Sequence, residues 1–346
     1  AVMATDIKAT DFTIPVVAGI VLIGIGGSFV KPVISGTVQK TSGVRTTLGF
    51  GIFYMVVNIG SMTGRIVSYF VRTHFGIPAI FTYVATIAAL IGLAITILVY
   101  REPKYQTDET ATQKPKTIGQ AIAGIFIVLK NIRFVFFLVV IGFFWFIYVQ
   151  IYNLIPLYLR FIDKNAPVEL YTLINPVMIV CFQLLITRLS KSWTAVKSIM
   201  AGVAITVVGM LLNIVPALLP LQTTWSLGAI TLPIAGLFIL ISLASMAIGE
   251  MLASPRIFQY IGSIAPKGQE GLFLGYSNLP LALGTIVGAP IGGILFEQYV
   301  RNPASQGLPV QTSIMWALVA SMGIISMIGL YFYDRFMVQR AGQKAE

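Results

Sequence analysis

Three charged side chains, Lys31, Arg65 and Glu250, fall clearly within long apolar segments of this sequence of 346 residues. A charge at the centre of a membrane helix costs about 2.5 to 3.5 kcal/mol on insertion scales, so each requires a partner, water or a function. If their segments are helices, Lys31 and Glu250 lie at comparable depth. We therefore hypothesise that Lys31 and Glu250 form an ion pair, which opens and closes with access to a central cavity. Protonation of Glu250 would break this ion pair. The alternative is that both side chains extend to the inner membrane interface.

Arg65 falls close to the outer end of its segment, where we expect its guanidinium to reach the interface. Aromatic and amide side chains recur one helical turn apart and can share a face of their helices. Such faces form either a pocket with apolar walls and a few hydrogen-bonding groups or ordinary helix packing. The candidate residues are Tyr54, Asn58, Trp145, Tyr148, Gln150 and Asn278.

Two prolines directly follow key residues, Pro32 after Lys31 and Pro255 after Ser254. A proline inside a helix leaves the carbonyl one turn back without its donor, here near Ser28 and Met251. Matched bends fit gating helices, although simple structural bends are the commoner case.

Gly284 and Gly288 are four residues apart and predict close, movable helix contacts.

The elements that hold these residues are long apolar segments. The chain is 57% apolar and only 10% charged, against about a quarter in soluble domains. Segments of about 20 apolar residues cross a bilayer as helices, so we predict an all-α polytopic membrane protein in contact with lipid. Nine membrane helices are predicted, near residues 12–38, 49–71, 78–100, 134–160, 168–189, 195–219, 227–260, 270–299 and 311–336.

The net charge of +11 does not indicate nucleic acid, because Lys and Arg concentrate in short loops between apolar segments. By the positive-inside rule this distribution places the C-terminus in the cytoplasm and Ala1 outside. We therefore expect further spans before Ala1. A single cysteine, Cys181, and a single histidine, His74, exclude an internal disulfide and give too few ligands for zinc, so no metal is expected.

The sequence divides at its longest polar stretch. Residues 1–100 are predicted to be three spans of an N-terminal half-bundle, 101–133 a cytoplasmic linker with a segment along the membrane surface, and 134–346 a six-span bundle. Residues 26–32 (GGSFVKP) match 249–255 (GEMLASP), and glycines of the following helices repeat at nearly the same offset. Both copies cross the membrane in one direction, which is typical of parallel half-bundle repeats. On this basis the chain contains spans four to twelve of twelve.

Four stretches resemble motifs of the proton-coupled oligopeptide transporter family of the major facilitator superfamily. They are GGSFVKPVIS (26–35), GFGIFYMVVNIGS (49–61), FFWFIYVQ (143–150) and GEMLASP (249–255). The matches follow family order and spacing. The family's first-span ExxERFxYY motif has no counterpart in this sequence, Val149 stands where the seventh span has a glutamate, and Arg65 replaces a residue that is usually small.

The resemblance implies a major facilitator fold and symport of di- or tripeptides, or similar small zwitterions, by alternating access. The proton gradient would supply the energy, with no cofactor. It also implies a monomer in the plasma or inner membrane. Other major facilitator carriers, for drugs, sugars or organic anions, remain the alternative. An enzyme is not expected, because the sequence contains no clustered acids, no nucleophile elbow and no nucleotide fingerprint. A channel is not expected either, because the sequence shows no selectivity element.

Overall fold

The computed structural model describes residues 13–42, 46–101, 126, 128–220, 223–227, 230–265 and 270–338. Within the first helix the side chains of Lys31 and Pro32 lie outside this description, as does most of the predicted linker. Long apolar helices dominate the described chain, because a backbone that crosses hydrocarbon must satisfy its own hydrogen bonds. The principal helices are α1 (Thr13–Ser42), α2 (Thr46–Phe75), α3 (Thr86–Leu98), α4 (Ile132–Tyr148), α5 (Leu154–Ile162), α6 (Val168–Leu189), α7 (Ala195–Leu211), α8 (Ile234–Ile264), α9 (Glu270–Gly275), α10 (Leu279–Phe296) and α11 (Thr312–Tyr333).

Short irregular turns extend several helices. A π-helical turn, Ile80–Ala85, leads into α3, and 3₁₀ turns follow α4 and α7. Further π-helical turns continue α10 and α11. The extensions of α4 and α7 are mostly apolar, whereas those of α10 and α11 each carry one acidic and one basic residue. Each of the four turns after a helix belongs to the same span as that helix. They are Val149–Ile151, Leu212–Leu218, Glu297–Arg301 and Asp334–Val338.

Eight helical segments of the described residues are long and apolar enough to cross a membrane. They correspond to eight of the nine predicted spans, from Leu48–Phe75 to Thr312–Met337. The remaining predicted span coincides with α1, whose described apolar stretch is Val17–Ser28. The prediction of a polytopic α-helical membrane protein is therefore confirmed.

The predicted start of the span at 227–260 is wrong. Strands β1 (Thr224–Leu227) and β2 (Ile230–Pro233) pair antiparallel before α8 begins at Ile234. Thr224, Trp225, Ile230 and Thr231 are residue types that favour strands, and Pro233 restricts the residue before it to an extended conformation. The helix instead runs four residues beyond the predicted end, to Ile264.

The main core lies among the helices after residue 130. Helix α4 packs against α10 and α11, and α7 packs along α8. Gly202 and Gly249 let α7 and α8 approach so closely that a Cβ on Gly202 would overlap the Gly249 carbonyl oxygen. The fully buried side chains at the centre include Phe144 and Trp316. Helix α2 packs against this bundle.

Helix α2 packs against α6 and α8. Near its first turn, the ring of Phe50 is buried and stacks on Phe258 of α8 with centroids 5.7 Å apart. In its last turn, Arg72 forms a two-pronged ion pair with Glu169 of α6, at 2.6 and 2.9 Å. By contrast, none of the residues of α3 is buried. Contacts at both ends of α2 therefore enclose the polar residues at its middle.

Candidate functional site

The centre of the candidate site is the carboxylate of Glu250, on α8, which is only 3% exposed. The hydroxyl of Tyr54, from α2, donates to its Oε1 at 2.5 Å. The amide of Asn175, from α6, donates to its Oε2 at 2.9 Å. Three helices thus converge on one buried acidic group, and each of its oxygens accepts a hydrogen bond from a neutral donor.

Three other predicted residues lie on or beside the tyrosines that interact with this carboxylate. The Asn58 side chain donates to the Tyr54 carbonyl oxygen at 2.8 Å, so it supports the helix turn that carries Tyr54. Tyr148 of α4 is buried, and its hydroxyl interacts electrostatically with Glu250. The Trp145 ring meets the Tyr148 ring edge-on at 5.1 Å. The buried indole N–H of Trp145 finds no hydrogen-bond acceptor among the described residues, and so could serve a ligand or a water molecule.

The predicted ion pair between Lys31 and Glu250 stays a prediction, because the Lys31 side chain lies outside the described residues. The same holds for Pro32, which was expected to act with Pro255 in gating. Both residues belong to α1, which packs against α2 and against α9. Their backbone is therefore helical, as predicted.

The extension of Arg65 to the outer interface stays a prediction, and its guanidinium contacts α6 and the turn that follows α4. Its Nη1 donates to the Thr172 hydroxyl of α6 at 2.5 Å, and its Nη2 lies 3.4 Å from the Tyr152 hydroxyl. The guanidinium carbon also lies 5.5 Å from the centroid of the Tyr152 ring. A helix position specifies depth but not orientation, and here the packing of α2 against α6 turns the side chain toward the other half of the protein.

Gln150 and Asn278 do not join the residues around Glu250. Gln150 is fully buried between α4 and α10, where its amide donates to the carbonyl oxygens of Phe146 and Gly288 at 2.9 and 3.0 Å. Asn278 ends the short turn before α10, and its side chain makes no hydrogen bond within the described part of the chain. Gln150 therefore holds two helices together.

Gly284 and Gly288 are positions of close helix contact. A Cβ on Gly284 would lie 2.7 Å from the backbone of Trp145 and Phe146, and one on Gly288 would lie 3.0 Å from a Val149 methyl. The predicted close approach is confirmed. A gating role for these glycines stays a prediction, and both lie within the regular part of α10.

Pro255 lies within α8 and is buried. Its missing N–H leaves the Met251 carbonyl without the usual helical donor, as predicted. The amide of Gln183, from α6, takes that place and donates to the Met251 oxygen at 3.2 Å. The proline thus creates a polar contact between α6 and α8 at the residue that directly follows Glu250.

The sequence reasoning missed the polar stripe of α6. Thr172, Asn175 and Gln183 are all buried, and all three point toward α2 or α8. Their spacing, with Ile179 between them, follows the helix period that marks one face. That signal was available, because uncharged polar side chains inside an apolar segment are as informative as charges.

The arrangement can hold and release a proton and bind a small polar ligand. A buried carboxylate with neutral donors, adjacent tyrosines and an unpaired indole N–H combines an acid with hydrogen-bonding groups in an apolar setting. A separate cavity of about 240 Å³ is lined by Tyr158, Pro216, Ile234 and Val310, and it contains none of the predicted site residues. The described residues contain no cluster of three or more metal-ligating side chains. The fold and this site define a class: a polytopic helical membrane protein with a buried acidic centre between two groups of helices.

Comparison with known families names that class. The family model described as Major Facilitator Superfamily matches residues 1–234. The match covers more than half of the chain, so the chain belongs to the major facilitator superfamily.

Two curated proteins are similar to parts of the chain. An uncharacterised MFS-type transporter, YttB of Bacillus subtilis, is 29% identical over 126 residues, which are 36% of this chain and 28% of the relative. The multidrug resistance protein MdtH of Sodalis glossinidius is 28% identical over 206 residues, which are 59% of this chain and 45% of the relative. The chain thus spans less than half the length of either.

Two solved structures share the fold. A peptide transporter POT in complex with alafosfalin superposes with a TM-score of 0.60 at 16% identity, covering 96% of this chain and 76% of that one. A POT family transporter in complex with 5-aminolevulinic acid gives a TM-score of 0.61 at 16% identity, covering 97% and 79%. At this identity the likeness establishes the fold, and function must be argued from the site.

Proposed function

We propose that the protein is a secondary active transporter that couples proton movement to symport of di- or tripeptides, or of similar small zwitterions, by alternating access. The observation that carries this proposal is the buried Glu250 carboxylate, which is held by donors from α2 and α6. An acid at membrane depth between two groups of helices can take up a proton from one side and release it to the other.

Two further observations support a peptide-like substrate. The four sequence motifs resemble those of the proton-coupled oligopeptide transporter family, and the two similar structures are POT transporters with alafosfalin and 5-aminolevulinic acid. The hydrogen-bonding groups of Tyr148 and Trp145 next to Glu250 suit a ligand with both polar and apolar parts.

The wider organisation belongs to the same proposal. Residues 1–100 would complete an N-terminal half-bundle, 101–133 would link the halves on the cytoplasmic side, and 134–346 would form the C-terminal bundle. The protein would act as a monomer in the plasma or inner membrane with its C-terminus in the cytoplasm, as the loop charges predict. It would use no cofactor besides the proton gradient and no nucleic acid partner.

Uptake of a labelled dipeptide into proteoliposomes that contain the full-length protein tests the proposal. An inward proton gradient should drive accumulation, and collapsing the gradient with an ionophore should abolish it. Equal uptake with and without the gradient would refute proton coupling. No uptake or binding of any dipeptide would refute the substrate class.

The second candidate is drug efflux by proton antiport. The similarity to a multidrug resistance protein and the replacement of the seventh-span glutamate by Val149 favour it. It predicts that an outwardly directed substrate flux, such as extrusion of a fluorescent cationic dye, responds to the proton gradient while dipeptide uptake does not. Running both assays on one preparation separates the two functions.

A further inference from the structure

The carboxylate of Glu250 contacts two tyrosines that lead away from it in opposite directions. Tyr148 of α4 interacts with it electrostatically, and the Tyr148 ring lies 6.3 Å from the ring of Tyr152, which is 53% exposed. Helices α4 and α8 are the first and fourth of four consecutive spans, so they cross the membrane in opposite directions. Tyr152, one turn after Tyr148, and Ser254, one turn after Glu250, therefore lie on opposite sides of the carboxylate.

Ser254 carries a buried hydroxyl beside this site. It is 0% exposed, so its polar neighbours are those already packed around it. Its hydroxyl is close enough to that of Tyr54 to interact with it, and the Tyr54 hydroxyl in turn donates to Oε1 of Glu250. A serine inside a helix often donates to the carbonyl four residues back. The Ser254 hydroxyl makes no such bond and has no complete hydrogen bond within the described residues.

A buried hydroxyl of this kind needs an explanation, because burial without a complete hydrogen bond lowers folding stability. An alanine in place of Ser254 would have nearly the same shape and would avoid that cost. What the hydroxyl adds is a proton and two lone pairs on a group that can rotate, so that it can donate on one side and accept on the other. These are the properties that proton transfer requires.

Polar side chains continue from Ser254 toward the ends of α6 and α8. The Gln183 amide donates to the carbonyl oxygen of Met251, which lies three residues before Ser254, so the amide and the Ser254 hydroxyl share one side of α8. The same amide lies 3.1 Å from the Thr187 hydroxyl. Gln183 is 0% exposed, whereas Thr187 is partly exposed. Polar groups thus extend from the acidic centre to a side chain that water can reach.

We propose that Tyr54 and Ser254 form a hydroxyl relay that carries the coupled proton between Glu250 and the side of the protein at which α6 and α8 end. This inference rests on the proposed function and deepens it, because it assigns a route to the proton. The loop charges predict that this side is cytoplasmic. The relay is therefore the release route, and the side of the carboxylate that faces Tyr148 and Tyr152 is the uptake route.

The steps of release balance without oxidation or reduction. The O–H bond of protonated Glu250 breaks and its proton passes to the Tyr54 oxygen, while the Tyr54 proton passes to the Ser254 oxygen. The Ser254 proton passes to a water molecule on the Gln183 side, which becomes hydronium. Each hydroxyl gains one proton and loses one, so the net change is the transfer of one proton from Glu250 to water.

The test compares two rates of the full-length protein in proteoliposomes, which are proton-driven uptake of labelled dipeptide and gradient-free exchange of labelled for unlabelled dipeptide. Only proton-driven uptake requires net passage of protons along the relay. Ser254→Ala should slow it at least about tenfold, because a positioned proton carrier contributes that much or more. Exchange should be unchanged, and the unfolding temperature in detergent should be unchanged or raised. Ser254→Cys keeps an exchangeable proton and should retain part of the driven rate.

A second variant tests whether the two hydroxyls act in series. Tyr54→Phe interrupts the same relay, so adding Ser254→Ala to it should slow proton-driven uptake no further. Ser263→Ala is the matched control, because Ser263 is an exposed serine of α8 whose hydroxyl donates to the Tyr260 carbonyl oxygen. It should leave both rates as they are.

Three results would overturn the relay. The first is proton-driven uptake at the normal rate in Ser254→Ala, which would leave the proposed function intact. The second is an equal loss of uptake and exchange in that variant, which would show a structural role. The third is independent, multiplying effects of Tyr54→Phe and Ser254→Ala. If uptake by the unmodified protein ignored the gradient, the proposed function itself would fail, and the relay with it.

Discussion

At the scale of single residues, the protein places its acidic group where several helices meet. Tyr54 and Asn175 come from different helices and each donates to one oxygen of Glu250. Hydrogen bonds to a charged acceptor contribute about 1.5 to 3 kcal/mol each, so the position of the carboxylate is sensitive to any movement of α2 or α6. A change of protonation at Glu250 would in turn alter how tightly these helices are held.

Glu250→Gln should abolish proton-driven accumulation of substrate, with a decrease of at least about tenfold. The amide has nearly the same shape but cannot take up a proton, so substrate exchange across the membrane without a gradient should persist. Glu297→Gln is the control, because in the described part of the chain Glu297 pairs with Arg301 at an exposed site. Gradient-driven uptake that survives in Glu250→Gln would show that another group carries the proton.

At the scale of helices, α10 and α4 are held together by backbone contact through small residues. A single methyl group added at Gly284 would meet the backbone of Trp145 and Phe146 at 2.7 Å, whereas a methyl group at Gly293 meets nothing within 4 Å. Backbone cannot move aside as a flexible side chain can. Overpacking of this kind costs about 1 to 3 kcal/mol.

Gly284→Ala should therefore lower the thermal unfolding temperature of the purified protein in detergent, while Gly293→Ala should leave it unchanged or raise it. Both changes replace glycine by the best helix former, which by itself stabilises a helix by about 1 kcal/mol. The difference between the two variants isolates the packing effect. Equal unfolding temperatures would mean that α4 and α10 can move apart without a loss of folding stability.

The second contact between helices involves Pro255 and Gln183. Gln183→Leu should destabilise the protein by about 1 to 3 kcal/mol, because it leaves the Met251 carbonyl buried without a donor. In the Pro255→Ala variant the restored N–H can bond to Met251, so the same change at Gln183 should cost less. Denaturation of the four proteins forms a double-mutant cycle. A coupling energy near zero would contradict the role assigned to Gln183.

At the scale of the whole molecule, α2 contacts the C-terminal helices at both of its ends. Phe50 stacks on Phe258 at one end, and Arg72 pairs with Glu169 at the other. Alternating access requires that one of these contacts opens while the other stays closed. The two contacts therefore stabilise opposite states of the transporter. Weakening the contact at one end of α2 should favour the state that is open at that end.

Arg72→Gln should shift the protein about two- to fivefold toward the state that is open at the Glu169 end. The estimate follows from about 0.5 to 1 kcal/mol for a partly exposed ion pair, whose side chains here are 27% and 23% exposed. Spin labels at Thr73→Cys and Asn165→Cys, in a Cys181→Ser background, would report the separation of the two ends by pulsed electron resonance. Exchanging the charges, with Arg72→Glu and Glu169→Arg, should restore the closed state.

Arg301→Gln is the control for this experiment, because its ion pair with Glu297 lies within one continuous helical segment and does not connect α2 to α6. It should leave the distance distribution unchanged. An unchanged distribution in Arg72→Gln as well would show that the ion pair does not contribute to closure.

The sequence by itself determined the membrane architecture and the depth of the charged groups. Hydropathy is a property of each segment, so eight spans could be located without knowledge of their neighbours, and Glu250 could be recognised as embedded. The close approach at Gly284 and the carbonyl freed by Pro255 also followed from local rules. These features depend only on residues a few positions apart in the chain.

Only the tertiary structure decided which side chains meet. Depth in the membrane does not fix the rotation of a helix about its axis, and it was rotation that turned Arg65 toward Tyr152 and Thr172 and placed Gln150 between α4 and α10. The choice of Asn175 as a donor to Glu250, and the hairpin before α8, likewise depend on contacts between distant segments. Pairing between helices is a property of their joint packing, which no single segment encodes.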